Sequence, residues 1–179
     1  QKAAAAASAE HHDQPHFRAK GPRQPSRPAP RGPRTPKGLL PANKHAMLSY
    51  QWDDQERVIA ARETLTKLGV PCWMDIDGGM KQDIYESMAA GVENAACVVC
   101  FLTKKYQDSD NCKLEVKFAK QSGVEIIPVM MAGGGWRPSG WLGLITAGAL
   151  WTRLSSESEF EASVRQLHGQ IQQALGAAV

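Results

Sequence analysis

No apolar run in the chain approaches the ~20 residues needed to span a membrane, and the opening QKAAAAASAE has none of the Leu-rich core of a secretory signal. It also lacks an initiator Met, which fits a processed form or a fragment with more chain upstream. Cysteine is scarce, at 72, 97, 100 and 112 only. Cys97 and Cys100 have CxxC spacing, but they lie in the apolar run AACVVCFL, which reads as a buried strand. An odd offset on a strand turns the two thiols to opposite faces, which excludes a joint metal or redox site. All four read as free thiols in a reducing, cytoplasmic compartment. The five histidines are scattered, three of them before residue 43, with no metal-ligand spacing, so no metal is expected. Gly133–Gly135 lacks the Lys-Ser/Thr and the following helix of a phosphate loop.

Proline and charge are present in quantity but unevenly spread. Residues 1–42 hold eight of the eleven prolines and eight Lys/Arg against two Asp/Glu, net +6, while residues 43–179 carry thirteen against sixteen, net −3. The basic balance therefore belongs to the tail. The rest has mixed charge and no Lys/Arg stripe interleaved with aromatics, which argues against nucleic acid. With almost no large apolar side chain, residues 1–42 cannot offset the entropy of ordering and read as a disordered tail. Within it, Arg27-x-x-Pro30-x-x-Pro33 has the form of an SH3 ligand, and a plain basic spacer is the simpler alternative.

From His45 onward apolar runs alternate with helical spacing. HAMLSY predicts a first strand, and Val58, Ala61, Leu65 and Leu68 mark a helix stopped by Gly69. VPCWMD (70–75) predicts the second strand, followed by the loop IDGGM and a helix bearing Ile84, Met88 and Val92. ACVVCFL (96–102) predicts the third strand, and VEIIPVMM (124–131) the fourth. Segment 132–148 has no clear period, and a short fifth strand is placed at 149–152. Ser156 and Glu159 predict a capping box for a last helix presenting Phe160, Val164, Leu167, Ile171 and Leu175 on one face. This alternation predicts an α/β fold: a flavodoxin-like five-stranded parallel sheet in the order 2-1-3-4-5, with helices on both faces. Ligands of such sheets bind beyond the carboxyl ends of the strands, at the switch between the first and third.

The helix Asp108–Gln121 flanks that crevice and places one carboxylate oddly. At about 100° per residue, Lys113, Lys117 and Lys120 share one side, while Cys112, Val116 and Ala119 form an apolar arc extended by Phe118 and Leu114. Glu115 falls inside the apolar arc, opposite the lysines, so no i,i+4 ion pair accounts for it. The ordinary alternative is a first-turn Glu that favours the helix dipole and curls out to water. The crevice instead makes it a candidate site residue.

MLSYQW at the end of the first strand, VPCWMDIDGG around the second and SDNCKLE at the third helix together resemble a Toll/interleukin-receptor/resistance (TIR) domain over about residues 44–154. The resemblance implies that residues 43–179 are a self-associating signalling domain of the immune or cell-death type, which in many members cleaves NAD with a Glu in the third helix. That Glu matches Glu115. Ser49, Tyr50, Gln51 and Trp52 match the nucleotide-contacting segment, and Ile76–Met80, with Asp77 and Gly78, matches the loop used in assembly and at the mouth of the site. Asn111 stands where many members have Trp before the helix Cys, which removes an aromatic from that position and leaves Trp52 or Trp136 to supply one.

NAD enters this reading as substrate rather than cofactor. Nicotinamide leaves as a neutral group from a cationic ring, so the paired acid and base of ordinary glycosidases are not both required. An ionised Glu115 would stabilise the oxocarbenium-like transition state, while Tyr50 and Trp52 would stack on a ring. A non-catalytic adaptor acting through homotypic contacts is the rival. A flavodoxin-like phosphoacceptor is weaker, since Asp53 and Asp54 are present but the third strand ends in Thr103 without an Asp.

Overall fold

The computed structural model describes residues 44–78 and 84–176. Residues 1–42, and with them the proline motif, lie outside the described residues, as do Gly79 and Met80 of the loop after the second strand. Five parallel strands, β1 (His45–Ser49), β2 (Cys72–Trp73), β3 (Ala95–Leu102), β4 (Glu125–Met130) and β5 (Thr152–Arg153), form one sheet in the order β2-β1-β3-β4-β5. The helices are α1 (Gln55–Lys67), α2 (Ile84–Glu93), α3 (Lys104–Asp108), α4 (Asp110–Gln121), α5 (Gly140–Thr146) and α6 (Phe160–Ala174).

The pleat of β3 divides the core in two. Cys97, Val99 and Phe101 pack with Val58, Ala61 and Leu65 of α1 and Val164, Leu167 and Ile171 of α6. Val98, Cys100 and Leu102 face the other way, onto Val92 of α2, Tyr106 of α3, Cys112, Val116 and Ala119 of α4 and Leu142 of α5. Each large apolar side chain so buried contributes about 1.5–3 kcal/mol. The CxxC thiols therefore sit in separate layers, and none of the four cysteines is in a disulfide. Gly69 (φ 85°) and Gly123 (φ 70°) follow α1 and α4 in the left-handed conformation that ends a helix.

Several boundaries differ from the pattern in the sequence. The second strand is two residues long instead of six, because the Val70 amide bonds back to the Leu65 carbonyl and Met74 leads into a 3₁₀ turn, Asp75–Gly78. The fifth strand is Thr152–Arg153 rather than 149–152, since the Ala149 amide closes the end of α5 on Thr146. Helix α5 lies within the stretch that shows no period. The capping box does not form: Ser156 Oγ pairs with Ser158 Oγ at 2.9 Å, and Glu159 is itself the cap residue without a side-chain capping bond.

One close approach fixes how α2 lies on the sheet. A Cβ on Gly91 would sit 2.8 Å from Trp73 Cζ3, and the Trp73 ring is held by stacking on His45 at 6.1 Å between centroids. Gly91→Ala should therefore destabilise by a net ~1 kcal/mol, the helix-propensity gain of roughly 0.8–1 kcal/mol falling short of the overpacking cost. Urea unfolding of the two proteins side by side measures this, and equal or greater stability in the variant would show that the ring yields freely.

Candidate functional site

Ser49 ends β1 and Tyr50 follows it, and the alternation of the strand turns the two side chains apart. Ser49 points to the α4 side, where its hydroxyl donates to Glu115 Oε2 at 2.5 Å. The same Ser49 Oγ lies 2.7 Å from the hydroxyl of the fully buried Tyr106. A serine has one proton to give. With the Ser49 O–H directed at the carboxylate, Tyr106 is the donor to Ser49.

Tyr50 turns to the other layer, packing with the α1 and α6 core. Its hydroxyl donates to Asp75 Oδ1 at 2.7 Å and accepts from Gln55 Nε2 at 3.0 Å, while its carbonyl accepts from the Cys112 thiol at 3.5 Å. Burial pushes the Tyr50 phenol well above its ordinary value, with Asp75 and Glu115 adding to the rise. Gln51 is engaged locally: its Oε1 accepts from the Asp53 amide at 2.8 Å and caps the 3₁₀ turn Trp52–Asp54. Trp52 is 56% exposed and meets the Tyr50 ring edge-on at 6.3 Å.

Glu115 is the sixth residue of α4, whose N-cap is Ser109, bonded to the Cys112 amide. That puts it in the second turn rather than the first, beyond the reach of the helix dipole. The ordinary alternative, a dipole-favouring first-turn Glu curled out to water, therefore does not describe it. Burial raises its pKa from 4.5 to about 7, helped by Asp75 and opposed by the bond from Ser49. Glu115 forms part of the wall of a cleft of about 210 Å³ between α2 and α4, otherwise lined by Tyr85, Met88, Ala89, Val92, Leu114 and Phe118. Leu114, expected to extend the apolar arc, stands on the rim at 49% exposure.

The structure thus brings Ser49, Tyr50 and Glu115 to one end of the sheet. Asp77 and Gly78 close the 3₁₀ turn that begins at Asp75, and Asn111 is exposed in the first turn of α4. The participants missing from the sequence reading are Tyr106 and the cleft residue Tyr85, while Phe118, read there only as part of the apolar arc, also lines the cleft. Tyr106 carries a faint signal, as the one aromatic in the polar stretch KKYQD just past the third strand. Two larger depressions, about 430 Å³ beside Asp53 and Arg57 and about 420 Å³ beside Gly133–Trp136, do not include Glu115. In the first of them Asp53 is already paired with Lys105. Among the described residues no group of three or more His, Cys, Asp or Glu side chains is placed to hold a metal ion.

A family model described as the TIR domain matches residues 47–168. Among solved structures, the TIR domain of the Toll-related receptor TRR-2 from Hydra magnipapillata is similar at 14% identity, over 71% of this chain and 97% of that one, with a TM-score of 0.60. The TIR domains of the activated Roq1 resistosome, which directly recognises the pathogen effector XopQ, match at 17% identity over 75% of this chain and 82% of that one, with a TM-score of 0.47. No curated protein matches.

Proposed function

The chain belongs to the TIR domain family, and from that premise we propose that it cleaves NAD+ to nicotinamide and an ADP-ribose product when its copies associate. The observation that carries this reading is the Glu115 carboxyl, held by Ser49 in the wall of an otherwise apolar cleft. Such a carboxylate is preorganised for developing positive charge. As the ribose–nicotinamide bond breaks, its electron pair goes to the ring nitrogen and positive charge gathers on the ribose. Glu115 stabilises that charge until water adds at the sugar carbon and releases a proton.

At about 210 Å³ the cleft is smaller than the roughly 300–1,000 Å³ of sites that enclose a whole ligand. It takes one ring of the dinucleotide and leaves the rest outside. A second copy, meeting the first near the 76–80 loop, would cover the remainder. Stacking falls to the exposed Trp52, since the Tyr50 ring is packed into the core. Four cysteines outside any disulfide support a reducing, cytoplasmic place of work, and the family membership supports a role in immune or cell-death signalling. No described helix is long and apolar enough to cross a membrane.

The adaptor reading draws on a specific observation. Asn111 is exposed and presents no aromatic face beside Glu115. Incubating the purified chain at high concentration with NAD+ and following nicotinamide separates the two: release supports the enzyme, and none under assembling conditions supports the adaptor. The enzyme also has an expected pH signature. With the ionised carboxylate as the working form and its pKa at about 7, release should climb about tenfold per unit below that value and level off about one unit above it. A rate that is flat across the range would remove Glu115 ionisation from the mechanism.

A further inference from the structure

We propose that Tyr106 is a positioning residue for Glu115, acting on its carboxyl through the Ser49 hydroxyl. Tyr106 does not line the Glu115 cleft, and its hydroxyl is fully buried. A buried phenol needs a partner, and this one reaches two, the Cys100 thiol and the Ser49 oxygen; the oxygen, at 2.7 Å, is the stronger acceptor and in turn donates to Glu115. Two hydrogen bonds in series, Tyr106 to Ser49 to Glu115, polarise one another, so the second is stronger for the presence of the first.

The short helix α3 is arranged to deliver this hydroxyl. Thr103 caps it by accepting from the Tyr106 amide at 3.1 Å, and the Thr103 hydroxyl is itself anchored to Asp54 Oδ2 at 3.0 Å. The aligned relay favours the ionised carboxyl. When Glu115 is protonated the chain can run in reverse, Glu115 to Ser49 to Tyr106, with the phenol proton turned to the Cys100 sulfur and no heavy atom moved. The other groups that face Glu115 are Asp75 after β2, Tyr50 at the end of β1, Cys100 on β3, Cys112 on α4 and, across the cleft, Tyr85 of α2. None of these lies between Tyr106 and Ser49, which are in direct contact at 2.7 Å.

The catalytic consequence rests on the NAD-cleaving reading, but the relay itself can be read without turnover. The experiment is a carbon-detected NMR titration of the Glu115 carboxyl in the full chain, for wild type, Ser49→Ala, Tyr106→Phe and the double variant. Ser49→Ala removes a hydrogen bond to a charged group and should raise the midpoint by about one unit or more. Tyr106→Phe keeps the ring in place and should raise it by roughly 0.3 unit or more. In the Ser49→Ala background the tyrosine change should add nothing, because its route to Glu115 is gone. An unmoved midpoint in Tyr106→Phe, or an equal shift with and without Ser49, overturns the proposal. In nicotinamide release the same variants should move the pH inflection upward by the same amounts and recover at high pH. A wild-type chain that releases no nicotinamide would sink the NAD-cleaving reading, while the midpoints still decide the relay.

Discussion

Replacing Glu115 by Gln should reduce nicotinamide release by ~10²-fold or more, the scale seen on removing a preorganised electrostatic group. The amide keeps the length of the side chain and can still accept from Ser49, so what is lost is the charge facing the ribose. The position explains why so much hangs on one residue. The carboxyl is largely withdrawn from water, so its field is weakly screened, and among the described residues no other acid lines the cleft. Glu125→Gln is the matching control, since Glu125 is exposed at the start of β4 and changes the net charge equally. Equal rates for wild type and Glu115→Gln, under conditions where the protein assembles, would end the enzyme reading. A loss shared by Glu125→Gln would point to net charge in assembly instead.

The same substitution should stabilise the fold at alkaline pH. A carboxyl raised from 4.5 to about 7 holds its proton in the native state after the unfolded chain has released it. Its contribution is therefore complete below 4.5, is lost progressively as pH rises to about 7, and stays lost above that. Linkage puts the total on the order of 3 kcal/mol. Glu115→Gln carries no such penalty, so its melting temperature should exceed that of wild type by several degrees above pH 7 and converge on it near pH 4.5. The difference between variants is the quantity to follow. His45, lowered chiefly by burial, imposes an opposite trend on both proteins. A variant that melts with or below wild type at alkaline pH would show that the buried charge costs the fold little. A gain would mean that the native residue trades stability for its chemistry.

Both expectations begin from a residue whose environment could be read from spacing alone. The apolar arc of α4 and the 2-1-3-4-5 order are enough to bring Glu115 to the end of β1, because helical period and right-handed crossovers leave few alternatives. The divergence of Cys97 and Cys100 is legible for the same kind of reason, a period of two. What escaped has no period to show. Five residues of α3 make barely more than a turn, so Tyr106 reads as a loop aromatic although it is fully buried. Helix α5 is hidden by Gly140 and Gly143, poor helix formers, the second packed against the Pro138 carbonyl. Whether Glu115 lies in the first or the second turn does not show in the sequence, because Asp108, Ser109, Asp110 and Asn111 are all good capping residues and only the Ser109 bond to Cys112 shows which one is used. Alternation turns Tyr50 away from Ser49, but Asp75 and Gln55, which hold its hydroxyl there, come from different elements and leave no mark beside it in the sequence.

The two outermost strands, β2 and β5, pair over only two residues each. An open sheet normally offers its margins as templates, and a long free margin invites further chains to add strand by strand until the aggregate cannot be undone. Here each margin is shorter than the five or six residues of an ordinary strand and gives little for an incoming backbone to hold. Under the proposed association-dependent activity, copies of the chain are thereby steered to meet through helices and loops, where contacts are side-chain in character and can be released. Clustering of this chain should accordingly dissolve on dilution, rather than ripen into fibres.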